Sequence, residues 1–522
     1  MKFGPSAAIL SKLRRSNICS PSTVVKLRPL FSNVTFFSSA PNIEQQASDL
    51  VEKSVKRKRN KPIPPVLKYK LGQFLPRSEV DYFIETKLKE CNVAAISIFM
   101  TRSASRSEKT SSVTFLIGYF PAIAARLSAL QAQPWTFWQI AAVLSGLKCL
   151  RETEDGIQNI IEIMTHITRQ SLDRGASVAP DDITLMLSGL GRIVAREHAT
   201  QNLLSVITEA ITKCTGDFTN VEIIKCLRSL QGKSTEQSEV RALLSVLTER
   251  LRAVEPGTLS AESIGHIMFA AYRFDSECDE VKSFLGAVTS HIESSKEGFD
   301  AQSMGDAIYG LQKMSSDHIE VRTLISTLLS KSINTKKDIL PQTSCNAFSG
   351  MRGLKSESVE VRQLLLSLVP NVQGSEKCYH PRGIADFLLG MQNMNSDSIE
   401  VRAVLTVFLR HVTNGTGNMD AQSVGNVLYG MQNMNSNSTE VKKISAALVR
   451  YVQNSEGVLT LAHIERSLKG LQGMEKDNVE LKVMLETLLA KVKSTEKIID
   501  DDVDTEDSPQ VKALQNAIQS LV

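Results

Sequence analysis

Four positions recur along this chain, about 40 residues apart, with side chains that could contact a ligand. In register with residue 306 stand Lys225, His266, Asp306, Asn346, Asp386, Asn426 and Arg466. In register with residue 309 stand Arg228, Phe269, Tyr309, Ser349, Leu389, Tyr429 and Lys469. The register of 313 holds Arg192, Arg273, Lys313, Asn393 and Asn433, and that of 302 holds Gln302, Gln342, Arg382 and Gln422. Amides, carboxylates and basic groups can pair with base edges, while aromatic rings and guanidinium planes can stack on bases. Variable polar and flat side chains on a constant framework are what reading one base per unit requires. From the unit of Gly189 to that of Gly470 these registers hold eight basic residues (Arg192, Lys225, Arg228, Arg273, Lys313, Arg382, Arg466, Lys469) and four acids (Asp181, Glu262, Asp306, Asp386). The face is therefore more positive than the chain as a whole. A variable polar face also suits a protein partner, so a protein-binding scaffold is the alternative reading.

The elements that carry these side chains follow from the repeat. Residues 421–441, AQSVGNVLYGMQNMNSNSTEV, return as AQSMGDAIYGLQKMSSDHIEV at 301–321 and PRGIADFLLGMQNMNSDSIEV at 381–401. Gly310, Gly350, Gly390, Gly430 and Gly470 are 40 residues apart, as are Glu280, Glu320, Glu360, Glu400, Glu440 and Glu480. A fixed period in this range marks a repeat architecture. Within one unit, Met304, Ala307, Ile308, Leu311 and Met314 fall at helical spacing and predict a first helix, A. Val321, Leu324, Leu328 and Leu329 predict a second, B. Asp317 stands three residues before Glu320, which predicts a capping box at the start of helix B; Asp397 with Glu400, Asn437 with Glu440 and Asp477 with Glu480 repeat it. The expected fold is all-α: an α-solenoid of about nine 40-residue helical hairpins over 134–499. Glycine inside a helix costs about 1 kcal/mol relative to alanine, so its recurrence predicts close approach of neighbouring A helices. Gly305 and Gly310 fall on the two flanks of the core stripe.

Outside the array the chain changes character. Residues 1–43 hold six basic residues (Lys2, Lys12, Arg14, Arg15, Lys26, Arg28), many serines and no acid. That is the composition of a mitochondrial presequence, with cleavage expected near FFSSAP at 36–41; chloroplast transit peptides share it. Taking those six from 60 basic residues leaves 54 against 56 acids, so the net charge of +4 belongs to this segment. Residues 44–75 read as a basic, proline-rich linker around KRKRNKPIPP, a tether whose composition also suits a nuclear import signal or a nucleic-acid-binding arm. Residues 76–133 read as an N-terminal helical region whose later part could be a divergent repeat. DDDVDTED at 500–507 reads as an acidic loop, and 508–522 as a C-terminal capping helix.

Enzyme signatures are lacking. No phosphate-binding glycine loop follows a strand, and there is no HExxH and no nucleophile elbow. The eight cysteines form neither CxxC nor a zinc-spaced cluster with histidine. Cys378-Tyr379-His380 reads as part of an inter-repeat loop, and TNGTGN at 413–418 as a turn. The expectation is a protein without enzymatic activity, metal or cofactor, and no stretch is long and apolar enough to span a membrane.

The string DAQSVGNVLYGMQNM, followed by helix B ending near Val452, resembles the octotricopeptide repeat, through Ala421, Gln422, Val424, Asn426, Leu428, Tyr429, Gly430 and Met431. It is similar as well to the helical repeats of organellar FAST-kinase-like and RAP proteins. The resemblance spans about 134–492. The family's Pro-Pro-Pro-Glu-Trp signature is replaced here by a Ser/Asn/Asp-rich turn, and no RAP or nuclease-like domain follows the array. The resemblance implies sequence-selective binding of single-stranded RNA in an organelle, the mitochondrial matrix first, acting on transcript stability, processing or translation beside protein partners of that machinery.

Overall fold

In the computed structural model the described residues are 81, 84–107, 118–148, 150, 156–333, 340–375, 377–475, 478–499, 512, 513 and 516. All belong to one compact unit, Lys70–Val522; the other, Met1–Tyr69, lies outside them. The presequence and the basic linker up to residue 75 therefore lie outside the described residues, as does the acidic loop. Of the expected capping helix only 512, 513 and 516 are described, and they are helical.

The array is all-helical, with no strand among the described residues. The helices run α1 Val93–Ser107, α2 Phe120–Ala129, α3 Phe137–Ser145, α4 Ile157–Asp173, α5 Pro180–Gly189, α6 His198–Lys213, α7 Asn220–Arg228, α8 Ser238–Arg252, α9 Ala261–Ala270 and α10 Asp279–Ser294. They continue as α11 Ala301–Tyr309, α12 Ile319–Ser330, α13 Pro341–Gly350, α14 Val359–Gly374, α15 Pro381–Gly390, α16 Ile399–Asn414, α17 Ala421–Tyr429, α18 Thr439–Gln453, α19 Leu461–Leu471 and α20 Val479–Ile499. From α3 onward the odd-numbered helices are A and the even-numbered are B. A packs on A and B on B of the next unit, so the chain is an α-solenoid. The register extends upstream: α1 packs on α3 and α2 on α4, in the manner of one further A/B pair.

Each unit starts for local reasons. Asp300 and Asp420 accept the N3 amides of Ser303 and Ser423, capping α11 and α17. Thr219 makes a capping box with Glu222, and Pro341 and Pro381 occupy the first turn of α13 and α15. Met304, Ala307, Ile308, Leu311 and Met314 are buried as the periodicity requires. In helix B, Val321, Leu324 and Leu328 are buried; Leu329 is half-buried and Ile325 takes its core place.

Two local expectations are corrected. Gly310 is not mid-helix but caps α11, and Gly350 is the last residue of α13, so the recurrent glycine sits where the A helix ends. Its reason is nonetheless packing. A Cβ on Gly310, Gly350, Gly390, Gly430 or Gly470 would overlap a backbone carbonyl of the preceding A helix: Met268, Ile308, Phe348, Leu388 and Leu428 in turn. On the other flank, a Cβ on Gly305 would stand 3.0 Å from Thr343 O of the following one. The second correction is the capping box. Helix B begins with N-cap His318, Ser358 or Ser398, which places Glu320, Glu360 and Glu400 at N2, not N3. Ser358 and Ser438 hydroxyls donate to Glu360 and Glu440, and these bonds hold both carboxyls below the usual carboxylate range. The carboxylate still sits in the first turn, where the helix dipole favours it.

Two hydrogen-bond ladders tie the units together. Buried hydroxyls of Thr235, Ser276, Ser316, Ser356, Ser396 and Ser436 accept the backbone amides of Asp275, Ser315, Lys355, Asn395, Asn435 and Glu475, each in the next unit, at 2.8–3.0 Å. At the far end of helix B, cations cap the preceding B helix. Arg250 donates to Cys214 O at 2.7 Å, Lys331 to Ser295 O at 2.8 Å, Arg410 to Gln373 O at 2.7 Å, Arg450 to Val412 O at 2.7 Å and Lys491 to Ser455 O at 2.6 Å. Positive charge at a helix C-terminus completes orphan carbonyls and the dipole together. Five of the array's basic side chains are thereby committed to folding.

Candidate nucleic-acid interface

The A helices turn the four registers away from the core to different degrees. Gln302, Gln342, Arg382 and Gln422, in the first turn, are exposed. One turn later, His266, Asp306, Asn346, Asp386, Asn426 and Arg466 are half-buried, while Lys225 is exposed. The first two registers are coupled across one helical turn. Gln302 Nε2 donates to both Asp306 carboxylate oxygens at 3.0 Å, Gln342 Nε2 to Asn346 Oδ1 at 2.8 Å and Gln422 Nε2 to Asn426 Oδ1 at 3.0 Å. Gln302 Oε1 in turn accepts Thr343 Oγ1 of the next unit at 2.8 Å. The amides are thus oriented before any ligand arrives.

The 309 register divides. Phe269, Tyr309 and Tyr429 are half-buried, and Arg228 and Lys469 are exposed. Ser349 and Leu389, expected to face outward with them, are buried, because the close approach at the glycines presses this register against its neighbours. An aromatic cluster and an aromatic–cation group result. Phe269 and Tyr309 stack with centroids 4.4 Å apart and planes at 13°, and Tyr272, which the repeat pattern did not single out, leans on Tyr309 at 5.6 Å. At the other, Arg466 Cζ lies 4.9 Å and Lys469 Nζ 5.7 Å from the Tyr429 ring centroid, so one ring has two cations beside it.

Arg352, another residue that sequence reasoning passed over, stands 3.7 Å from Asp386. Burial pushes the Asp386 carboxyl up against the opposing pull of Arg352 and Arg382, and lowers the Arg352 guanidinium despite Asp386. Desolvation outweighs pairing on both sides of this ion pair.

The 313 register is mostly engaged within the fold. Asn393 Nδ2 donates to Arg352 O at 2.7 Å and Asn433 Nδ2 to Gln392 O at 2.9 Å. Their neighbours Gln392 and Gln432 donate to the same two carbonyls at 2.9 and 3.2 Å. Arg273 Nη1 donates to Gly232 O at 3.0 Å, and Lys313 Nζ pairs with Glu236. The Gln-Asn pairs of GMQNMN are therefore rungs between units. Their recurrence in the sequence is the signal for that role, but the pattern alone does not separate a rung from a recognition residue.

Of the reactive groups, Cys226 and Cys345 are buried, which pushes both thiols up to about 12 and leaves them protonated at neutral pH. Cys378 is exposed, and Cys19 and Cys149 lie outside the described residues. Among the described residues no group of three or more His, Cys, Asp or Glu could hold a metal ion, and no helix is long and apolar enough to cross a membrane. No protein-family model matches the chain, and no curated protein matches it.

Proposed function

We propose that the chain binds single-stranded RNA along its A helices and acts by occupancy, without catalysis, on organellar transcripts. The observation that carries this reading is the set of flat rings on that face: Tyr429 beside the cations Arg466 and Lys469, and Phe269 stacked on Tyr309. Rings of this kind stack on bases irrespective of sequence, and adjacent cations meet the phosphates. The exposed Gln302, Gln342 and Gln422, each bonded to an Asp or Asn one turn on, supply oriented hydrogen-bonding groups for base edges. Compartment follows from the acid-free, basic first 43 residues: the mitochondrial matrix, or a chloroplast if that segment is read there. Occupancy would protect, process or open a transcript for translation, alongside proteins of that machinery.

Binding of the full chain to a pool of organellar RNA, measured across a salt series, tests the reading. Tyr309→Ala combined with Tyr429→Ala weakens binding by about 1–3 kcal/mol for each base that loses its stacking partner, and Asn426→Asp changes sequence preference. Absence of salt-dependent RNA binding overturns the reading.

A further inference from the structure

A second surface stands apart from the A-helix registers, at the turn that opens each B helix. Ile319, Val359, Ile399 and Val479 are each the first residue of their helix and lie between 53 and 69% exposed. Single exposed aliphatics are ordinary. These four are not scattered: they occupy one register in four of five successive units, with exposed Thr439 in the fifth. More than half of each residue's surface is open to solvent, and the first turn of a helix is better served by polar or acidic residues.

Two residues before three of them stand exposed Asp317, Glu357 and Asp397. Along this strip, residues 315–320 and their equivalents, the one exposed cation among the described residues is Lys355, which is bound to Asp317. The edge is also rigid. The buried serine hydroxyls lie directly behind it, and Arg322, Arg362 and Arg402 clamp its backbone carbonyls at 2.7–3.1 Å. A row held in fixed register loses little entropy on binding.

The general spacing of packed helices suits one kind of backbone. Packed helices lie about 8–10 Å apart, and three residues of polyproline II rise about 9 Å. Polyproline II repeats every three residues, so every third side chain faces one way and meets one unit. In an extended β-strand every third side chain alternates faces and cannot follow the row. We propose that this edge docks a basic, proline-rich segment of another protein in polyproline II conformation, with an aliphatic residue at every third position against Ile319, Val359 and Ile399 and lysine or arginine opposite the acids.

The probe is a fluorescent peptide of five Lys-Pro-Val repeats, titrated with the full chain, against Glu-Pro-Val and order-scrambled Lys/Pro/Val controls. The Lys-Pro-Val peptide binds and both controls bind at least about tenfold more weakly. Ile319→Ser with Val359→Ser, Ile399→Ser and Val479→Ser loses binding by about tenfold or more, with helix content by circular dichroism unchanged because all four side chains are exposed. No binding of Lys-Pro-Val, equal binding of the scrambled peptide, or equal binding by the fourfold variant overturns the assignment. None of these outcomes depends on whether the A helices bind RNA.

Discussion

Lys313 Nζ lies 2.9 Å from Glu236 Oε1, although 77 residues separate them. The bond skips a whole unit, from the turn after α11 back to the turn before α8, and it holds Glu236 below the usual carboxylate range. One of the few cations of the A-helix face is thus neutralised by the array itself. Glu236→Gln releases Lys313 to a phosphate. RNA affinity should rise, and the slope of log affinity against log salt should steepen by about 0.7 for one added phosphate contact on a single strand. An unchanged slope would remove Lys313 from the interface.

Gly430 and Gly286 predict opposite outcomes for one substitution. A Cβ at 430 meets Leu388 O, a backbone atom that cannot swing aside, so α15 and α17 must separate. Gly430→Ala should cost about 1–3 kcal/mol or more. Gly286 is exposed inside α10, and no atom lies within 4 Å of where an added methyl group would sit, so Gly286→Ala should gain up to about 1 kcal/mol. Urea unfolding of the two variants decides it; a Gly430→Ala midpoint at or above the parent's would defeat the spacing argument.

Ser396 is fully buried and its hydroxyl accepts the Asn435 amide at 2.8 Å. Ser396→Ala leaves that amide buried without its acceptor, at a cost of about 1–3 kcal/mol. Exchange of the Asn435 amide proton should quicken more than exchange within α17. Equal protection factors in parent and variant would show that the ladder does not hold the units together.

His411 sets a pH dependence. Its Nε2 lies 3.0 Å from Val372 O, it is buried against the Tyr379 ring with centroids 4.3 Å apart, and its Nδ1 has no hydrogen-bond partner. Burial lowers its pKa from the ordinary 6.5, with the nearby Arg410 charge acting the same way. A depressed histidine stabilises the fold above the unfolded value, and that contribution is lost as pH falls from about 7 through 6.5 toward the folded value. The slope reaches at most about 1.4 kcal/mol per pH unit for one proton. In His411→Gln, stability between pH 5 and 7 should vary less than in the parent; an identical pH profile would count against the assignment.

The sequence by itself determined the all-α class, the 40-residue unit and the apolar stripes of both helices. These depend on local periodicity, and Met304, Ile308 and Leu311 can bury only one way once the helix forms. It also marked Gly310 and its equivalents as sites of close approach, because repeated glycine at a costly position needs a packing cause. What the tertiary structure decided is which polar repeats are spent on the fold. Ser396, Asn433 and Arg450 recur as regularly as Tyr429, but their partners lie 35 to 41 residues away in the preceding or following unit. A periodic sequence does not say whether a polar side chain meets the next repeat or solvent. Only stacking settles that, by burying Ser349 and Leu389, engaging Asn393 and Asn433, and leaving the Tyr429 ring beside Arg466 and Lys469 half-open to solvent.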